Sequence, residues 1–341
     1  MSLHFIMFSS EHVSEGHPDK LCDQVSDAIL DACLKFDKMA KVACETCAKT
    51  GMILVFGEIT TTAVIDYQKV VRSAIEDIGF DDGAKGMDYK SLNLLVAIEQ
   101  QSPDIFQGLG DFGGENLGAG DQGMMFGYAT DETETFMPMS YELARQLAMK
   151  YSELRKNGSL EWARPDAKTQ VTIQYESDTC DNCQMVTPKR IECVLISAQH
   201  DDGVTNEKIR EDLMEKVIKP VLPEKMLDAQ TKYWLNPSGR FVIGGPMATV
   251  AGTRGGLPYA IGVAEPLSIH VDSYGTGTVE DDKLLAIVNK NFKLRPHDII
   301  TELDLRRPIY YMTAKFGHFG RTDTTGANGF TWENPKKLII E

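Results

Sequence analysis

Gly16-His17-Pro18-Asp19-Lys20 sets an imidazole, a carboxylate and an ammonium within five residues, just where an apolar helical periodicity begins. A helix starting at Pro18 would aim free backbone N–H groups and the positive end of its dipole at this spot, which suits phosphate. His17 and Lys20 would add cationic donors, and Asp19 could hold a divalent metal beside the phosphates. The competing reading is a Pro-started helix with solvated charges. Asp23, Asp27 and Asp31 continue Asp19's four-residue spacing and read as a solvated acidic face. Arg164-Pro165-Asp166-Ala167-Lys168 again places a carboxylate beside a lysine where a strand pattern opens, although standing alone it would read as a turn into an edge strand.

Glu45 and Glu58 fall on two β-rich runs around Lys49-Thr50-Gly51, a hairpin signal. If Glu45 faces Phe56, the pleat puts Glu58 on the same face two residues on. Covered, these carboxylates would need a cation or hydrogen-bond donors; uncovered, they decorate an exposed sheet face. Gly118-Ala119-Gly120-Asp121-Gln122-Gly123 matches G-x-G-x-x-G, but a dinucleotide fingerprint needs a strand before it and a helix after it. Here a glycine-rich stretch precedes and a strand-like run follows, so Asp121 reads as a ligand-contacting carboxylate in a loop. Two C-x-x-C pairs, Cys44/Cys47 and Cys180/Cys183, would both be needed for a four-cysteine zinc site. The first lies on a strand, where i and i+3 face opposite ways, so structural thiols are the better reading.

The elements that must carry these residues repeat. Strand Leu3–Phe8, helix Pro18–Phe36, strands Lys41–Ala48 and Met52–Thr60, a helix capped by Asp66 and ended by Gly79, and strand Leu92–Ile98 give the order βαββαβ. The order recurs with strand Gly123–Ala129, helix Met139–Lys156, strands Thr169–Tyr175 and Arg190–Ala198, helix Asn206–Val217 and strand Arg240–Ile243. A third unit shows only its later part: Tyr259–Val263, Leu267–Val271, a helix over Asp281–Phe292, and Ile309–Thr313. Its opening strand and helix are missing between Gly245 and Tyr259. The expected division is 1–102, a glycine-rich loop 103–122, 123–245, and an incomplete unit 246–341.

Composition narrows the function. The chain has 341 residues, 42% hydrophobic and 25% charged, with a formal net charge of −15. So negative a surface disfavours nucleic acid and anionic lipid, and an anionic ligand would need its few cations concentrated in one cleft. The apolar runs are too short for a membrane helix, and the start lacks the basic region of a signal peptide. An odd count of seven cysteines suits a reducing, cytoplasmic setting rather than a disulfide framework.

GHPDK (Gly16–Lys20), ACETCAKTGMILVFGEITT (Ala43–Thr61), QSPDI (Gln101–Ile105), GAGDQG (Gly118–Gly123), RPDAKTQVT (Arg164–Thr172), NPSGRFVIGGP (Asn236–Pro246), YAIGVAEPLS (Tyr259–Ser268) and GHFGR (Gly317–Arg321) together strongly resemble S-adenosylmethionine synthetase. The resemblance runs in family order over almost the whole chain. It implies an α/β fold of the α+β type, with three βαββαβ units around a pseudo-threefold axis. It implies that the methionine sulfur attacks C5′ of ATP and that the tripolyphosphate is then hydrolysed to phosphate and pyrophosphate. Carried over by position, it makes His17, Lys20 and Lys168 catalytic contacts to the phosphates. Asp19 becomes a magnesium ligand and Glu45 a potassium ligand. Glu58 and Gln101 would hold the ends of methionine, Asp121 would sit near sulfur and ribose, and Asp166 would contact the ribose. Phe241 would stack on adenine, Ile261 would line the methionine pocket, and Gln101–Gly114 would be a mobile loop over the site. Active sites shared within a homodimer, which the family often pairs into a homotetramer, are implied as well.

One segment departs from the pattern. After Gly244-Gly245-Pro246 the family continues with an aspartate, a GRK tripeptide and a GGGAFSGKD stretch that supply further magnesium and phosphate ligands, whereas Met247–Leu257 reads MATVAGTRGGL. Either the protein carries a segment that this sequence omits, which is the preferred reading, or it has lost one. In the second case it would be a catalytically impaired ATP-binding or regulatory subunit of the same fold.

Overall fold

The computed structural model describes residues 4–102, 114–180, 183–247, 262–321 and 329–340. The first unit comprises β1 (His4–Val13), α1 (Pro18–Leu34), β2 (Lys41–Lys49), β3 (Met52–Thr60), α2 (Tyr67–Ile78) and β4 (Asn93–Glu99). Pro18 opens α1, where its missing N–H costs nothing, and the His17 Nδ1 caps the helix by accepting the Asp19 N–H at 3.3 Å. Asp66 caps α2 by accepting the Lys69 N–H at 3.0 Å, and Gly79 ends it at φ 101°, a conformation that favours glycine. β2 and β3 form the expected hairpin with Glu45 opposite Phe56, and β3 pairs in parallel with β4. Helices α1 and α2 cover one face of this sheet, burying Leu21, Val25, Ile29, Val71 and Ile75 against Ile53 and Val55. Phe36, expected as the last residue of this helix, lies beyond the end of α1 and is exposed.

The second unit comprises α3 (Met139–Lys156), β5 (Ala163–Cys180), β6 (Cys183–His200), α4 (Asn206–Asp212, continued by helical turns to Val221) and β7 (Lys232–Leu235). Its sheet has the order β1-β5-β6-β7, and its core gathers Leu147, Tyr151, Val171, Ile173, Val194, Ile196, Ile209 and Leu213. Thus β1 leaves its own unit: it pairs antiparallel with β5 from His4 opposite Ser177 to Val13 opposite Lys168. The repeat read along the chain is therefore not a repeat of self-contained sheets. The trio β2-β3-β4 has the connectivity of β5-β6-β7, but among the described residues only β5 carries an extra strand on its outer edge. The strands expected at Gly123–Ala129 and Arg240–Ile243 do not form. In the first, Phe126 and Met124 stand exposed, with no ladder partner among the described residues. In the second, the Phe241 N–H is taken by the His200 side chain, at 2.9 Å to Nε2, rather than by a strand. Strand β7, which was not anticipated, pairs in parallel with β6 instead.

The C-terminal region holds α5 (Asp281–Asn291), α6 (Pro296–Glu302) and α7 (Tyr310–Thr313). Helix α5 forms as expected but buries none of its residues, and neither core cluster includes a buried residue beyond Leu235. The strand expected at Leu267–Val271 does not form, and Leu267 is exposed; of that expected at Tyr259–Val263, only Gly262 and Val263 are among the described residues, and neither is in a strand. A strand needs a ladder partner to satisfy its backbone, and none pairs with this stretch among the described residues. Residues 248–261 lie outside the described residues. Ile309–Thr313 was expected as a strand and is helical from Tyr310. The reason is tertiary, since the Asp31 carboxylate on α1 accepts the Tyr310 and Tyr311 N–H groups at 2.9 Å each and so caps α7 from another unit.

The acidic row on α1 is therefore not a solvated face. Burial raises the Asp31 pKa, with the backbone donors of α7 opposing, and burial together with Asp23 and Asp31 pushes Asp27 up to about 7. A carboxyl raised from 3.8 contributes its stability below the unfolded value and loses it as pH rises through about 7. Asp27→Asn should therefore raise the melting temperature at pH 8 by several degrees (roughly 1–3 kcal/mol) and change it little at pH 4. Thermal unfolding at the two pH values checks this, and an equal shift at both would contradict it.

Candidate active site

The chain before α1 and the start of β5 meet edge to edge. β5 is bulged here: the advance from Ala163 to Ala167 matches only His200 to Ala198 on β6. The bulge accommodates Pro165 in a strand flanked on both sides, and bulges re-aim side chains near functional sites. Into it fits Ser14, whose hydroxyl donates to the Pro165 carbonyl at 2.7 Å and accepts the Ala167 N–H at 2.7 Å. The Ser14 N–H donates to the Ala167 carbonyl at 2.8 Å. Gly16 lies so close to Pro165 that a β-carbon on it would fall 2.3 Å from the proline Cβ. His17 at the α1 N-terminus is thus brought beside Asp166 on β5, and Lys168 follows two residues on, in register with Val13.

Asp166 is buried and accepts the Gly245 N–H at 2.6 Å. Burial pushes its pKa up, opposed by that N–H and by nearby His17. Phe241 joins the same neighbourhood: a β-carbon on Gly244 would stand 2.7 Å from its ring. The Gly244-Gly245 pair thus lets Phe241 and Asp166 share one corner. The lysines have carboxylate partners, Lys20 with Asp23 at 2.7 Å and Lys168 with Glu11 at 2.8 Å. Such partly exposed pairs contribute about 0–1 kcal/mol, so an arriving phosphate can displace the carboxylates at small cost.

Other expected site residues lie elsewhere. Glu45 and Glu58 are exposed on the sheet face opposite the one α1 covers, because the inward residues are Thr46, Ala48, Val55 and Ile59. Gln101 follows β4, with its N–H donated to the Thr60 hydroxyl at 3.2 Å and its Oε1 buried without a partner among the described residues. Asp121 is exposed, its carboxylate accepting the Gln122 N–H at 2.7 Å. Its loop is tied down just upstream, where Ala119 exchanges backbone hydrogen bonds with Gly262 (2.9 Å) and Val263 (3.0 Å). No helix follows the glycines of 118–123, in keeping with the rejection of a dinucleotide site. Ile261 and residues 103–113 of the expected loop lie outside the described residues.

Sequence reasoning passed over the residues that hold these pieces in place. Glu15 is buried and meets Arg155 at 2.7 Å, Lys156 at 3.0 Å and Lys315 at 3.6 Å, so all three units touch one carboxylate. The Gln24 side-chain amide donates to the Glu15 carbonyl at 2.7 Å and the Lys20 carbonyl at 2.9 Å, bracketing the Gly16–Lys20 turn. His12 lies buried between Tyr141 and Phe316, and burial, aided by Lys20, Arg145 and Arg321, lowers its pKa to about 4. Adjacency of Ser14 and Glu15 to Gly16 was the one available signal. Their partners lie more than a hundred residues away.

Comparison with known families gives three matches in chain order. Residues 5–103 match the N-terminal domain of S-adenosylmethionine synthetase, residues 116–241 its central domain and residues 250–334 its C-terminal domain.

Proposed function

The chain belongs to the S-adenosylmethionine synthetase family, and on that premise we propose that it joins methionine to ATP by in-line displacement at the corner built by His17, Asp166 and Lys168. As a family member it is a methionine adenosyltransferase, with ATP and methionine as substrates. In the proposed step the methionine sulfur attacks C5′ of ATP. A carbon–sulfur bond forms, the carbon–oxygen bond to the triphosphate breaks, and the electron pair leaves with the oxygen. The thioether is the nucleophile, so no side-chain base is needed. What the protein supplies is alignment and charge stabilisation of the leaving group. His17 and the free N–H groups of α1 face the leaving oxygen, and Lys20 and Lys168 take the remaining phosphate charge. Asp166 holds the ribose, Phe241 stacks on adenine, Asp121 and Ile261 line the methionine side, and Glu58 with Gln101 hold the amino-acid ends. The retained tripolyphosphate is then hydrolysed to phosphate and pyrophosphate.

Magnesium and potassium fit the donors present. Asp19 offers an exposed carboxylate at the α1 N-terminus, and magnesium bound largely through substrate phosphates and water needs only one or two such ligands. Bound there, it would neutralise charge on the triphosphate. Glu45 offers potassium a hard oxygen on the outer sheet face.

The observation that carries this reading is the meeting of the α1 N-terminus with the Asp166–Lys168 bulge. A second observation supports a homodimer with shared sites: Glu45 and Glu58 lie across the sheet from α1, so methionine contacts and phosphate contacts need not come from one copy. Incubation with ATP, magnesium, potassium and methionine tests the activity. S-adenosylmethionine, phosphate and pyrophosphate are expected in equal amounts. Phosphate release independent of methionine, or ATP binding without turnover, would contradict it.

A further inference from the structure

We infer that Ser14 is a positioning residue for the transfer step, locking the phosphate contacts of the first unit in register with those of the second. The inference rests on the proposed phosphate roles of His17 and Lys168. His17 and the α1 N–H groups come from one unit, while Asp166 and Lys168 come from another more than a hundred residues away. Their relative placement must be held to a fraction of an ångström for an in-line displacement, since a misplacement near 1 Å can cost about a hundredfold in rate.

Ser14 supplies that registration. It makes three hydrogen bonds across the junction, with the hydroxyl to the Pro165 carbonyl and from the Ala167 N–H at 2.7 Å each, and the backbone N–H to the Ala167 carbonyl at 2.8 Å. The side chain is fully enclosed, at 1% exposure, and reaches the bulge on both sides of Asp166. The next contact along the chain is the packing of Gly16 on Pro165, which leaves no room for sliding in one direction. Gln24 clamps the turn from the α1 side by bonding the carbonyls of Glu15 and Lys20. Without the Ser14 hydroxyl the Ala167 N–H would be buried unpaired, and the bulge would relax by moving Asp166 and Lys168 away from His17. Ser14 has no role of its own at the reacting atoms.

The test compares the full chain with Ser14→Ala and Ser14→Thr, using steady-state kinetics and calorimetric binding of inorganic tripolyphosphate, both well below the melting temperature. Ser14→Ala is expected to lower kcat and tripolyphosphate affinity about tenfold each, with KM for methionine within about twofold. Ser14→Thr, which keeps the hydroxyl, should recover most of both. A Ser14→Ala protein with kcat and tripolyphosphate affinity within twofold of the parent overturns the proposal, as does a loss that threonine does not reverse. Binding is read without turnover. A parent chain that binds tripolyphosphate but forms no S-adenosylmethionine would defeat the proposed function, and the binding comparison would still decide the role of Ser14. A parent that binds no tripolyphosphate defeats both.

Discussion

Lys168→Met is expected to lower kcat by roughly two to three orders of magnitude while leaving KM for methionine within about twofold. Lys168 lies beside the β5 bulge, in register with Val13 at the end of β1, so its ammonium projects from the strand that carries Asp166. Its Glu11 partner is itself more than half exposed, so losing that ion pair costs folding stability little. The charge lost matters where the triphosphate departs, because leaving-group charge develops in the transition state and is weaker in bound ATP. Loss of rate without loss of methionine affinity is the signature of an interaction made in that transition state. A variant with normal kcat and raised methionine KM would remove Lys168 from the phosphate role.

The second large effect concerns stability. Glu15→Gln should cost about 3–5 kcal/mol, because it leaves Arg155 buried with its charge partner removed and weakens the hold on Lys156 and Lys315. For a chain of this length the melting temperature should fall by roughly 5–10 °C. Because the Glu15 side chain is almost fully enclosed, salt should reduce the loss only slightly, unlike that of an exposed pair. Asp77 also contacts Lys156 and Lys315, at 3.7 and 3.1 Å, so it would retain part of the network. Thermal unfolding at low and high ionic strength distinguishes the cases, and a shift below 2 °C would show that the three units do not depend on this carboxylate.

Local signals in the sequence carried much of the fold. Pro18 at the start of α1, Asp66 and Gly79 at the ends of α2, and the Glu45–Phe56 register all follow from one or two neighbouring residues. Failures came where a distant partner decides. Apolar alternation at 123–129 and 267–271 resembles a strand, but pattern alone cannot supply the neighbouring strand that satisfies the backbone. Ile309–Thr313 has β-prone residues, yet Asp31, nearly three hundred residues away, caps Tyr310–Thr313 as a helix. The exchange of β1 into the second unit's sheet is likewise invisible to periodicity, which says that a strand exists and not where it pairs. In the site, charged residues at element ends were legible because helix termini and strand starts concentrate donors. Ser14, Glu15 and Gln24 were not, since a buried hydroxyl, carboxylate or amide is identified only by what encloses it.

On the proposed reading, phosphate contacts from the α1 N-terminus and β5 and methionine contacts from the outer face of the β2-β3-β4 sheet act on one substrate pair, which sharing of sites between two copies would bring together. Mixing two inactive variants tests it: Lys168→Met impairs the phosphate side and Glu58→Gln the methionine side. After unfolding and refolding an equal mixture, half of the dimers would be mixed. Each mixed dimer would hold one site carrying both lesions and one carrying neither, so activity should return to about a quarter of the parent value. A mixture no more active than the average of the two variants alone would contradict shared sites.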